Sequence, residues 1–224
     1  MIDLDILKKD AEVKAIMDGS KQMIEVLGFT EHSVRHSSVV SKWAGDILRS
    51  LSASEREVNL AEVAGYLHDI GNSISREDHA QSGALLAYGI VKRLGMNEID
   101  AVEVLMAIGN HDEKHGVPIS KVSSAIIIAD KADVHFSRVN KDVLRPGTTS
   151  AEQNIHDRVN LAAQKSYVEV EDGVISINII IDENICSPMD YLDIYYKRMQ
   201  MCRKAAEFLG CAFSLKINGV NILS

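Results

Sequence analysis

Little in this 224-residue chain is aromatic, 5% in all, and it holds only three prolines and three cysteines. Cys186, Cys202 and Cys211 form no CxxC pair, and an odd, sparse count suggests reduced thiols. Long apolar runs are missing too. None approaches the roughly 20 residues of a membrane span, so no membrane partner is expected. The opening MIDLDILKKDAEVK lacks the basic start, apolar middle and small-residue cleavage site of an export signal, which sets the expectation of a cytoplasmic protein. Positive charge is in deficit, with 24 Lys and Arg against 32 Asp and Glu, a net charge of −8. That argues against binding a nucleic-acid polymer, which needs clustered cations against phosphates. It leaves room for a small anionic substrate held by a metal and a few local cations. No internal repeat and no low-complexity segment is present.

What is present is ordinary for a globular protein, 46% hydrophobic and 25% charged, with length for one large or two small domains. The first part reads as helices. One runs from about Leu4 to Leu27, broken near Gly19. A stripe follows at His32, His36, Val40, Trp43, Ala44, Ile47, Leu48 and Leu51, in steps of three and four that share one helical face. Ser54 and Glu57 have capping-box spacing, starting a helix that carries Leu60, Val63, Ala64 and Leu67 to His68. Further helices are predicted over Asp78 to Leu94, Asn97 to Gly109 and Ser120 to Val139. The segment NKDVLRPGTTS, 140–150, breaks the pattern and suggests a boundary, giving a helical domain 1–150 and a smaller part 151–224. In the latter, SYVEVEDGVISINIIID alternates around Asp172-Gly173, a hairpin signal. Ser187-Pro188 opens a helix that Gly210 ends. CAFSLKINGVNIL reads as a second hairpin around Asn218-Gly219. The expected class is mainly α, with a hairpin-helix-hairpin α+β layer at the C-terminus.

The chemistry lies in "AGYLHDIGNS", 64–73, where an apolar helix delivers His68 and Asp69 side by side. An unpartnered buried carboxylate costs several kcal/mol or shifts its pKa far, and a metal ion would offset that. Four other places carry ligand-type residues on core faces: His32 on the stripe, His79 at the head of HAQSGALL, His111 at the end of VEVLMAIGNH, and Asp130 in SSAIIIADKAD. Any one of these has an ordinary explanation as a satisfied core residue or ion-pair partner. Four histidines and two aspartates at helix ends and core stripes are hard to bury together without a shared cation.

The order H…HD…D across a helical domain resembles the HD-domain metal-dependent phosphohydrolase superfamily. EHSVRHSSVVSKWA resembles its first motif, LHDIG the motif that names it, and IIIADKAD its last, covering about 28–140. The resemblance implies a metal set of His32, His68, Asp69 and Asp130. His36 competes with His32; Arg35 and Ala44, three and twelve residues after His32, favour His32. His36, one turn deeper, is then expected to pack or to support the site. HAQSGA and NHDEKHG are similar to the extra histidine motifs of two-metal HD subgroups, including dinucleoside tetraphosphate hydrolases, HD-GYP phosphodiesterases and HD diiron oxygenases. By that likeness Asp69 bridges two divalent ions, one also held by His32, His68 and Asp130, the other by His79 and His111. Fe, Mn, Co, Ni, Zn and Mg are not distinguished by sequence. Asn72 stands where HD-GYP proteins carry lysine, and HGVP replaces their longer loop, which speaks against cyclic dinucleotide cleavage.

The expected activity is hydrolysis of a nucleotide or related small phosphoester by a metal-activated water. Asp69, Lys131 and Asp133 are candidates beside the reaction, and Lys114, His115 and Arg138 are candidates for binding substrate phosphate. The competing readings are an HD-type diiron oxygenase and a metal-bound sensor or binding module. Assembly into a homo-oligomer stays open.

Overall fold

The structure is a computed structural model that describes residues 1–27, 34–136, 139 and 155–224. The boundary segment 140–150, His32 and Arg138 lie outside the described residues. Helices α1 (Leu4–Lys9), α2 (Ala11–Val26), α3 (Val34–Ser50), α4 (Glu55–Leu67), α5 (His79–Arg93), α6 (Glu98–Gly109) and α7 (Lys121–Ala132) come first. A 3-10 turn, Ile70–Ser73, joins α4 towards α5. Helix α8 (Ile155–Ala162) then leads into β1 (Ala163–Glu171), β2 (Val174–Ile181), α9 (Pro188–Phe208), β3 (Ala212–Ile217) and β4 (Val220–Leu223). No described helix is long and apolar enough to cross a membrane.

Local chemistry accounts for most of these boundaries. Ser54 and Glu57 form the reciprocal capping box that starts α4, and Ser187 with Asp190 does the same for α9, with Pro188 in its first turn. Asn97 and Ser120 cap α6 and α7. Two expectations need correction. The opening helix breaks at Asp10, not near Gly19, because the Asp10 carboxylate accepts from the amides of Glu12 and Val13 and starts a new helix there. Helix α7 stops at Ala132 rather than Val139. Asp133 leaves helical geometry, and its carboxylate is tied to Arg35 and His36 on α3.

Helices α4 and α7 form the centre. Both bury side chains around most of their circumference, and Ile126, Ile127 and Ile128 are fully buried. Each such side chain contributes roughly 1.5–3 kcal/mol of burial free energy. Helices α3, α5 and α6 close around them. In the C-terminal part both expected hairpins form, with Asp172 and Asn218 at positive φ, 49° each, as two-residue hairpin turns require. The two hairpins do not stay separate. Strand β2 pairs in parallel with β3, Ile175 beside Phe213 and Ile177 beside Leu215, giving one sheet of order β1-β2-β3-β4. Helix α9 crosses between the parallel strands and lies against α7, and β1 lies against α3. The buried side chains of both parts form one continuous cluster.

The loop bearing His68 and Asp69 is pressed against the start of α5. A Cβ on Gly71 would collide with the carbonyl oxygen of His79 and the amide nitrogen of Gly83, both backbone atoms that cannot yield cheaply. Gly89, exposed on α5, has open space around it. Gly71→Ala is therefore expected to cost about 3 kcal/mol or more through overpacking. Gly89→Ala should stabilise by about 0.5–1 kcal/mol through helix propensity. Urea unfolding midpoints of the two variants, moving in opposite directions from the parent, check this.

Candidate metal centre

Five helices bring one ionisable side chain each to a common point. His36 comes from the first turn of α3, His68 from the residue after α4, His79 from the first residue of α5, His111 from just beyond α6 and Asp130 from the last turn of α7. Asp69 sits in the middle, 6% exposed, and His68 is fully buried. The two oxygens of Asp69 face different histidine pairs. Oδ2 lies 3.4 Å from His68 Nε2 and 3.8 Å from His36 Nε2. Oδ1 lies 3.4 Å from His79 Nε2 and 3.8 Å from His111 Nε2. Asp130 Oδ1 adds a second carboxylate to the first pair, 3.2 Å from His36 Nε2 and 3.7 Å from His68 Nε2.

The other ring nitrogens explain why the Nε2 atoms converge. Nδ1 of His68, His79 and His111 donates to the carbonyl three residues earlier, of Gly65, Arg76 and Ile108, at 2.9, 3.1 and 2.7 Å. Nδ1 of His36 donates to Asp133 Oδ2 at 2.7 Å. With the proton fixed on Nδ1, each Nε2 presents a lone pair. Among the described residues, the buried Nε2 of His68 has no hydrogen-bond partner. Lone pairs aimed at carboxylate oxygens repel unless a cation lies between them, so this donor set fits a divalent metal. Two groups of donor atoms lie within 4.8 Å of one another: His36, His68 and Asp130, and His68, Asp69 and His111. The titration behaviour has the same origin. Burial opposes charge on His68, but Asp69 and then Asp130 more than offset it and push its pKa up to about 10. His111 is pushed down to about 3, by burial first and then by the charge on His68.

Support comes from both sides. Asn72 Nδ2 donates to Asp69 Oδ1 at 3.0 Å and to the Asp69 carbonyl at 2.9 Å. Arg76 in turn donates to Asn72 Oδ1 at 3.1 Å, and the Ser20 hydroxyl of α2 reaches the Asp69 carbonyl at 3.3 Å. Asp133 holds His36 and accepts from Arg35 at 2.7 Å. Asp130 Oδ2 accepts from Lys131 at 2.6 Å. Lys131 also lies 3.3 Å from Glu113, whose other oxygen accepts from Arg198 Nε at 2.9 Å. Burial works against ionising Glu113, yet Lys131 and then Arg198 hold its pKa down at about 2.

The sequence-based candidates separate on this geometry. His68, Asp69, His79, His111 and Asp130 come together. His32 lies outside the described residues, while His36, expected to pack or to support the site, has its Nε2 3.8 Å from Asp69 Oδ2 and 3.2 Å from Asp130 Oδ1. It points inward because Asp133 anchors its far nitrogen. Lys131 is 3% exposed and spent on two carboxylates, so it is no rim cation. Lys114 and His115 are exposed, and Lys114 lies 3.3 Å from Glu77. Neither lines the cleft above the cluster, which is formed by Asp69, Arg76, His79, His111, Asp112, Glu113, Asp130 and Arg198. Sequence reasoning missed Asn72 as a support, Glu113, Arg76 and Arg198. Glu113 stands two residues after His111, and Arg198 stands one turn after the buried Tyr195, beside Met199, on α9; those were the available signals.

Asp133→Asn should unsettle the His36 tautomer, as a neutral amide can turn its NH2 to the ring. Metal retention against a chelator is expected to weaken about tenfold to a hundredfold. Long-range 1H–15N spectra should show the Nδ1-protonated form of His36 reduced.

Comparison with known proteins agrees with the motif order. The model of the HD domain matches residues 29–135. An uncharacterized protein of the archaeon Methanocaldococcus jannaschii is 28% identical over 157 residues. That match covers 60% of this chain and 60% of the relative, so the chain spans about three fifths of that protein's length. A solved structure from an uncultured Thermotogales bacterium, described as a predicted HD superfamily hydrolase, is 23% identical with a TM-score of 0.44, over 60% of this chain and 75% of that one. The segment that matches the HD-domain model, 29–135, has the paired His68 and Asp69 at the centre of its donor cluster, and in these motifs the chain is similar to HD-domain proteins.

Proposed function

We propose that this chain is a metal-dependent phosphohydrolase that cleaves a small phosphoester, a nucleotide or a related compound. The observation that carries the reading is the position of Asp69, whose two oxygens each face a separate histidine pair. A carboxylate so placed is suited to bridge two divalent ions. His36, His68 and Asp130 would hold one with Asp69 Oδ2, and His79 and His111 would hold the other with Asp69 Oδ1. His36 takes the position that the motif spacing assigned to His32. When bound, such ions supply Lewis acidity and a water whose pKa is lowered towards about 7.

The chain's own residues do the remaining work. Asp133 and the carbonyls of Gly65, Arg76 and Ile108 keep the ring protons on Nδ1, so the donors need no reorganisation. Asn72 fixes the plane of the Asp69 carboxylate. Lys131 draws on Asp130 Oδ2 and leaves Oδ1 to the histidines. No serine or cysteine nucleophile is required, and Cys186, Cys202 and Cys211 all lie outside the cleft.

His68→Ala and Asp69→Ala should each lose bound metal and phosphoester hydrolysis while the helices remain. His36→Ala should lose both as well, and His32→Ala should keep them. Elemental analysis, circular dichroism and a screen of nucleotides, dinucleoside polyphosphates and phosphomonoesters with Mn, Fe, Co and Mg read these outcomes. Full metal occupancy in Asp69→Ala would sink the site. Oxygen uptake without phosphate release would reassign it to oxidation.

A further inference from the structure

We propose that Arg198, on α9 of the C-terminal layer, is the side chain that grips the phosphoryl group of the substrate, by hydrogen bonds from its terminal nitrogens to the non-bridging oxygens. This rests on the phosphohydrolase reading of the centre.

Arg198 lies 63 residues beyond the end of the HD-domain match at 135, yet it lines the same cleft as Asp69, His79, His111 and Asp130. Its guanidinium is held ready. Nε donates to Glu113 Oε1 at 2.9 Å, and the group stacks over the Tyr195 ring with 4.9 Å to the centroid. These two contacts fix the plane and use one edge. The two terminal nitrogens make no hydrogen bond to any described residue, and the side chain is 30% exposed. A planar fork with two free donors, immobilised beside a metal centre, matches two oxygens of a phosphoryl group.

The other described cations near the cluster are committed elsewhere. Lys131 is buried between Asp130 and Glu113. Arg76 lines the cleft but donates to Asn72, which holds Asp69. Arg35 is paired with Asp133. The carboxylate next to Arg198 does not cancel its pull on an anion either. Glu113 is contacted from both sides, by Lys131 and by Arg198, so the chain Asp130, Lys131, Glu113, Arg198 alternates in sign and ends on a positive charge.

The test uses the full-length protein loaded with Mn(II), as the parent and as Arg198→Lys and Arg198→Ala. Orthophosphate binding is measured by calorimetry, and p-nitrophenyl phosphate hydrolysis is separated into kcat and KM. Metal content and melting temperature are recorded for each protein. The expected result is parent-level metal in both variants and a phosphate Kd raised about tenfold to a hundredfold in Arg198→Ala, the loss of a charge-assisted hydrogen bond. Arg198→Lys should recover only part of that, because an ammonium lacks the fork. KM should rise more than kcat falls. Phosphate bound equally well by all three proteins overturns this inference and leaves the phosphohydrolase reading standing. So does a variant pair in which Arg198→Ala loses metal or melts early while Arg198→Lys binds phosphate normally, since Arg198 is then scaffold. A parent protein that keeps metal but neither binds phosphate nor hydrolyses the ester overturns both.

Discussion

Everything around the centre answers one electrostatic problem: lone pairs and negative charge are crowded at the floor of a narrow cleft, where burial limits their solvation. Four imidazole nitrogens surround the Asp69 carboxylate within 3.8 Å, two of them shared with Asp130. Such an arrangement is stable only with positive charge at its heart, either protons or a metal. The rise in the His68 pKa and the fall in that of His111 are the protein's response when protons must serve. A divalent ion serves better, because it neutralises both carboxylates and satisfies several lone pairs at once.

The fold solves the orientation problem by repeating one local device. His68, His79 and His111 each turn Nδ1 back to the carbonyl three residues earlier. Two of those carbonyls belong to the last turns of α4 and α6, where backbone acceptors lack helical partners. A helix end therefore orients its ligand with hydrogen-bonding capacity it would otherwise leave to water. His36, in the first turn of α3, turns Nδ1 to Asp133 from across the core. That difference accounts for α7 ending early, since Asp133 must leave the helix to reach α3.

Sequence reasoning reached what local rules encode. The capping boxes at Ser54 and Ser187, the turns at Asp172-Gly173 and Asn218-Gly219, and the clustering of His68, Asp69, His79, His111 and Asp130 were legible from spacing, residue type and motif order. The place of His36 in the cluster was not, because residues one turn apart share a face, and the contact that turns its ring comes from Asp133, 97 residues on. The parallel pairing of β2 and β3 was equally hidden, as it depends on where α9 packs. Glu113 and Arg198 belong to an ion-pair chain whose members lie far apart in sequence. No periodicity marks such a chain.

The order of the parts along the polypeptide has a consequence for biosynthesis. Among the described residues, the donors gathered around Asp69, from His36 to the neighbouring Asp130, precede the hairpin of β1 and β2, and α9 follows it. A ribosome releasing the chain from its N-terminus exposes the whole donor set while α9 is still unmade. The residues that gather around Asp69 are thus all made before Arg198, the cleft-lining cation of α9, joins them.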